Sequence, residues 1–170
     1  MRISCWKSIW GPEDIDACSI YDDNVFHQDH SKKLPYALVS KNSKEVRLTT
    51  SSPQFRVPNI ELLFLYKLKA YADRDFDSHR AEGANNVAYF VSKRDKDGSD
   101  LMALADPERC REKIDANFAG KLAKAQGIRK LLSKALDEVS NNPASAAAYR
   151  SIERKDVDKN FAALKNAFAK

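Results

Sequence analysis

Lys67 sits where a lysine has little reason to be. The segment Val57-Pro58-Asn59-Ile60-Glu61-Leu62-Leu63-Phe64-Leu65-Tyr66-Lys67-Leu68-Lys69-Ala70 reads as a nearly all-apolar helix. On it, the neighbours of Lys67 three and four positions away are Leu63, Phe64, Ala70 and Tyr71. None of these can neutralise an ammonium, and burying one without a partner costs several kcal/mol. Lys67 must therefore snorkel to water, find a distant carboxylate or meet a bound anion. Arg74, two turns on, lies on the same face and would extend a cationic stripe. Lys69 has Asp73 at the i+4 position and reads as an ordinary surface residue.

Thirty positions later comes Arg94-Asp95-Lys96-Asp97-Gly98-Ser99-Asp100-Leu101. It reads as a charged turn opening a helix, with Asp97 as cap and Asp100 three residues on. Capping alone explains such a turn. Together with Lys67 it has a second use, because Asp97 or Asp100 facing that ammonium would orient it toward a phosphate.

The order of these motifs resembles the C-terminal half of the AbiEii-type nucleotidyltransferases, in the DNA polymerase β-like superfamily. The resemblance covers roughly residues 36–106. It rests on an extended strand, then Glu61-Leu62-Leu63 with Lys67-Leu68 and Ala70, then Arg74, then Lys96-Asp97 with Asp100-Leu101. It implies transfer of a nucleoside monophosphate from an NTP to a hydroxyl, with Mg²⁺, plausibly on tRNA or another nucleic acid. It also implies a toxin–antitoxin or phage-defence setting, with an antitoxin or a completing protein chain as partner. By resemblance, Lys67, Asp100 and Asp16 are the candidate catalytic residues. Lys67, Arg74, Lys96 and Asp97 are the candidates for nucleotide contact.

The chain departs from that family at the metal. Family members carry a Gly-Ser turn and, about ten residues on, an Asp-x-Asp pair whose two Mg²⁺ ions align the attacking hydroxyl and neutralise the pyrophosphate. Here Asp14-Ile15-Asp16 has the residue types, but Gly11 stands only three residues upstream with no serine after it. Asp16 matches the family's third carboxylate strand better, and both aspartates also read as solvent-facing strand residues. No metal ligands are assigned. The expectation is a chain lacking the metal-binding first half and inactive alone, or a non-catalytic RNA- or protein-binding module on the same fold.

Other chemistry is thin. His27-Gln28-Asp29-His30 has metal-ligand types in a polar loop, where two histidines are usually only loop residues. Cys5, Cys18 and Cys110 are odd in number and far apart, which argues against a disulfide framework or zinc knuckle. The sequence contains no phosphate-cradling Gly-rich loop and no nucleophile elbow.

The elements that must position these residues change character near residue 57. Residues 1–56 read as strands and loops, with candidate strands at 2–10, 14–21, 34–40, 45–50 and 55–57. Asn59 is a good N-cap for the Lys67 helix, which is expected to run to about Arg74. Residues 75–94 are ambiguous, with a short helix over 86–92. Asp106-Pro107-Glu108 marks a further helix start. Ile114, Phe118, Leu122, Ala125, Ile128, Leu132, Ala135 and Val139 fall at helical spacing, with Gly120 and Gly127 as places to bend or break. A last helix carries Val157, Phe161, Leu164 and Phe168, and the two stripes are expected to pack on each other.

The fold class expected is α+β, a small antiparallel N-terminal sheet followed by a helical bundle. Residues 1–106 would form the nucleotidyltransferase-like core and 107–170 a basic helical extension. The 170 residues carry a net charge of +5. All of that excess lies in residues 107–170, with 14 Lys/Arg against 8 Asp/Glu. That suits a polyanion near this part, though lysine-rich outer faces on a bundle would look the same. No run is apolar enough to span a membrane, no signal peptide is evident, and a cytoplasmic location is expected.

Overall fold

The computed structural model describes residues 34–35, 37–47, 49, 54–110, 112–149 and 155–170. Elements below are numbered among these described residues. The candidate strands at 2–10 and 14–21, with Asp14, Asp16, His27 and His30, lie outside them.

A short helix α1 (Ala37–Lys41) leads into strand β1 (Ser43–Val46), which pairs antiparallel with β2 (Phe55–Pro58). The register sets Ser43 against Pro58 and Val46 against Phe55. Glu45 faces Arg56 across the ladder, a solvent-side pair of opposite charge. The strand expected at 34–40 is instead a turn into α1. Pro35 cannot donate a ladder bond, and its carbonyl accepts from the Leu38 N–H at 3.0 Å, starting a helical turn.

The central element is α2 (Ile60–Arg80). Leu62, Phe64, Leu65, Leu68, Ala70 and Tyr71 are buried, so its first three turns are apolar nearly all round, as befits a helix covered on every side. It outruns the expected end at Arg74, because the residues after Arg74 include no proline or glycine before Gly83. Asn59 stands at the N-cap position but makes no side-chain capping bond; its N–H donates to the Asn42 carbonyl at 2.8 Å, joining the sheet to the helix.

The connection Ala81-Glu82-Gly83, with Gly83 at φ +85°, reverses the chain into α3 (Ala84–Ala105). Here the expectation of a turn at Lys96–Asp100 fails. These residues lie inside one long helix that also absorbs the short helix expected at 86–92. Asp97 caps nothing. Gly98 interrupts a capping pattern without breaking the helix, because its missing side chain is used for packing rather than for a turn.

Asp106 accepts the Glu108 N–H at 2.9 Å and closes a turn over 107–109. No helix starts at Pro107, contrary to the sequence expectation. The next helix, α4 (Ala116–Ala125), is capped by Asp115, whose Oδ1 accepts from the Asn117 and Phe118 N–H groups at 2.9 and 3.1 Å. The long stripe from Ile114 to Val139 does break at Gly127, which takes φ +65°. That yields α5 (Arg129–Asn141). Pro143 opens α6 (Pro143–Tyr149), and α7 (Lys155–Ala169) follows.

The two expected stripes do meet. Leu132, Ala135 and Val139 join Val157, Phe161, Leu164 and Phe168 in one apolar cluster. That cluster continues through Phe64, which contacts Phe161 edge-to-face at 6.1 Å, and on to Leu34 and Val39. Among the described residues no helix is long and apolar enough to cross a membrane.

Candidate functional site

α2 and α3 form an antiparallel hairpin, and its charged pairs follow from that pairing. The numbers of the paired residues, Lys67 with Asp100, Arg74 with Asp97 and Asp75 with Arg94, add to nearly the same total, as antiparallel neighbours must. Asp97 and Asp100 are one turn apart on α3 and so share a face. Both reach Lys67: its Nζ lies 3.0 Å from Asp97 Oδ1 and 2.8 Å from Asp100 Oδ2. Arg74 donates to the other oxygen of Asp97 and to the Lys93 carbonyl at 3.3 Å.

Burial is graded across the cluster. The side chains of Lys67 and Asp97 are 7% and 1% exposed, whereas Asp100 is 40% exposed and forms the open edge. Lys96 is exposed beside it. Full desolvation raises the Asp97 pKa above the usual carboxylate value, against the opposing pull of Lys67 and Arg74. Two cations and two carboxylates leave the cluster formally neutral. Of the sequence candidates, Lys67, Arg74, Asp97 and Asp100 come together, Lys96 flanks them, and Asp16 lies outside the described residues.

Three features escaped the sequence reading. Lys69 is not a surface residue: it and Asp73 form an ion pair with side chains only 1% and 3% exposed. The i+4 spacing had disclosed the partner but not the burial. Second, Arg94 bridges Asp75 at 2.9 Å and Asp95 at 3.0 Å. Burial works against its charge, but these carboxylates carry its pKa upward. Third, Asn142, just past α5, donates to Asp95 Oδ1 at 2.9 Å and to the Tyr71 hydroxyl at 3.3 Å. Burial pushes the Tyr71 phenol pKa up despite that bond. The hairpin pairing, once known, would have predicted Asp75 with Arg94. Nothing in the local sequence points to Asn142.

Comparison with protein-family models, with curated proteins and with solved structures gives no match. The chemistry must be read from the residues. Among the described residues no group of three or more His, Cys, Asp or Glu could hold a metal. Asp97 has both oxygens occupied by cations, and Asp100 is a single carboxylate bound to Lys67, so this cluster does not suit Mg²⁺. Its open edge is Asp100, with the exposed Lys96 one turn before it on α3. Cys110 is a free, half-buried thiol.

Proposed function

We propose that the chain is a nucleotidyltransferase-like protein of the AbiEii type, which binds an NTP at the α2–α3 hairpin and does not transfer it unaided. One observation supports this most: Lys67, a lysine on a core helix, lies within 3.0 Å of both Asp97 and Asp100. The need to neutralise Lys67 leads to that pairing, and the resemblance implies that these residues lie beside the nucleotide. In this reading the hairpin positions the triphosphate through Lys67 and Lys96, and Asp97 holds Lys67 and Arg74 in place. The catalytic carboxylates and Mg²⁺ are supplied elsewhere, by Asp16 and its neighbours or by a completing chain. The acceptor hydroxyl, on tRNA or another nucleic acid, and a toxin–antitoxin or phage-defence role belong to the same proposal, as does a cytoplasmic location.

The test is calorimetric titration of ATP and CTP with Mg²⁺ against the whole chain, with a melting curve for each variant. Lys67→Ala strands a buried carboxylate and costs about 3–5 kcal/mol, so it is a poor sole probe. Lys96→Ala removes an exposed charge and should weaken binding. Asp100→Asn frees Lys67 from one of its two carboxylates and should tighten it. If the folded wild type takes up neither nucleotide, or if both variants bind as it does, the proposal is lost. The formal neutrality of the cluster favours a second reading, a scaffold in which these ions only lock α2 to α3. It predicts the first outcome, with no nucleotide taken up by wild type or by either variant.

A further inference from the structure

A second surface lies on the opposite side of α2. Phe76 follows Lys67 by two and a half turns and so points away from the ion-paired cluster. It is 45% exposed, and among the described residues only Tyr89 is a comparably exposed large apolar side chain. The Arg80 guanidinium lies over the Phe76 ring, 5.2 Å from its centroid. Phe76, His79 and Arg80 from α2 face Leu131, Lys134 and Glu138 from α5 across a groove of about 340 Å³.

The groove adjoins the most basic part of the chain. α5 runs antiparallel to the second half of α2: Asn142, past its C-terminus, bonds Tyr71, and Leu131 near its start shares the groove with Arg80. The stretch 116–136 carries five Lys/Arg, namely Lys121, Lys124, Arg129, Lys130 and Lys134, and no Asp or Glu. The acidic residues of the groove are committed: Asp75 to Arg94, and Glu138 to Lys134 at 3.5 Å. The +6 excess of residues 107–170 is therefore concentrated on the α4–α5 corner, next to an aromatic ring under a guanidinium.

We infer that this groove binds single-stranded nucleic acid, with an unpaired base taking the place of the Arg80 guanidinium on the Phe76 ring and the backbone phosphates on Arg80, Lys130 and Lys134. A flat aromatic face accepts a base of any sequence once the exposed arginine over it swings to a phosphate, and a basic rim tracks the backbone. A duplex hides its base faces and cannot use Phe76. An acidic polypeptide could use the lysines but would gain nothing specific from the ring. The inference does not rest on the nucleotide site: Phe76 lies on the face of α2 opposite Lys67.

The experiment is fluorescence anisotropy of the full chain with a labelled RNA of about 12 nucleotides, within the footprint of single-strand binders. Competitors are the same sequence as DNA, an RNA duplex and polyglutamate. Wild type should bind the single strand in preference to the duplex and to polyglutamate, and the DNA strand should compete as well as the RNA because no group here reads the 2′-hydroxyl. Phe76→Ala should weaken it by about fivefold to a hundredfold, leaving the salt slope unchanged. Lys130→Gln and Lys134→Gln should each reduce that slope by about 0.7. Glu138→Gln, which removes a negative charge from the wall, should tighten binding. All four positions are at least partly exposed, and a melting curve checks each variant. The inference fails if wild type ignores the RNA at low salt, if Phe76→Ala binds as wild type does, or if duplex or polyglutamate competes equally well.

Discussion

Lys67 and Lys69 are separated by one residue on the same helix, yet only one announced itself. Lys67 stood out because no residue a turn away could neutralise it, so a distant carboxylate or an anion had to exist. Lys69 was hidden by its own partner: an i+4 pair with Asp73 has the same spacing in water as in a core. What decides between the two settings is whether other helices cover that face, and the sequence of α2 does not contain that. Asp97 carries the sharper consequence. Burial raises its pKa above the ordinary 3.8, outweighing Lys67 and Arg74. Between those two values the folded chain holds a proton that the unfolded chain has released. Stability from this group therefore falls as pH rises through that window and levels off above it. Urea unfolding of wild type and Asp97→Asn across acidic to neutral pH should show the wild-type advantage shrinking with rising pH. A growing advantage would mean that the two cations, not burial, govern the carboxyl.

At the scale of the element, the Lys96–Asp100 run shows how a capping pattern misleads. Asp followed three residues later by Asp is a good helix opening, and Gly98 between them looked like a turn. In α3 the same residues are interior, and the glycine serves a helix crossing. A Cβ at Gly98 would collide with Ser145 Oγ, approach Ser145 Cβ to 2.7 Å and reach Tyr71 Cε2 at 3.3 Å. α6 thus lies on α3 at a point where no larger side chain fits. Gly98→Ala should gain helix propensity and still destabilise, by about 1–3 kcal/mol, because overpacking wins. Ser145→Gly in the same chain should recover part of that loss, giving a coupling that a double-mutant cycle detects. Ser145→Ala should be neutral or stabilising, since its buried hydroxyl has no hydrogen-bond partner among the described residues. Strict additivity of Gly98→Ala and Ser145→Gly would show that the helices do not meet here. By contrast, the break between α4 and α5 was legible, because Gly127 interrupts an otherwise continuous stripe and a left-handed φ suits glycine.

For the molecule as a whole, the sequence exposes a composition boundary near residue 106 more readily than it exposes packing. Charge changes sign there, which suggests a core followed by a basic extension. The apolar stripes on either side carry no label saying what they face, and that information is long-range. In the structure they face each other: Phe64 of α2 meets Phe161 of α7, and one apolar cluster runs from Leu34 to Phe168. Glu61, at the start of α2, accepts the Asp115 N–H at 2.9 Å, and Asn160 donates to the Ala105 carbonyl at 2.7 Å. A helical extension that could melt alone would not be stitched in this way. Phe161→Ala should cost about 3–5 kcal/mol, the usual range for a buried phenylalanine. Because α7 shares its core with α2, that loss should appear in both helices. Native-state hydrogen exchange is the direct measure: the most protected amides of α2, around Leu65, and those of α7, around Leu164, should lose protection by the same amount. If α7 alone lost protection while α2 kept its own, the region after residue 106 would unfold as a separate unit. The groove proposed for nucleic acid would then be assembled from two parts that can separate, with Phe76 and Arg80 on α2 and the lysines on α5. A shared loss instead makes it a fixed surface, whose stacking ring and phosphate rim keep one spacing whether or not a ligand is bound.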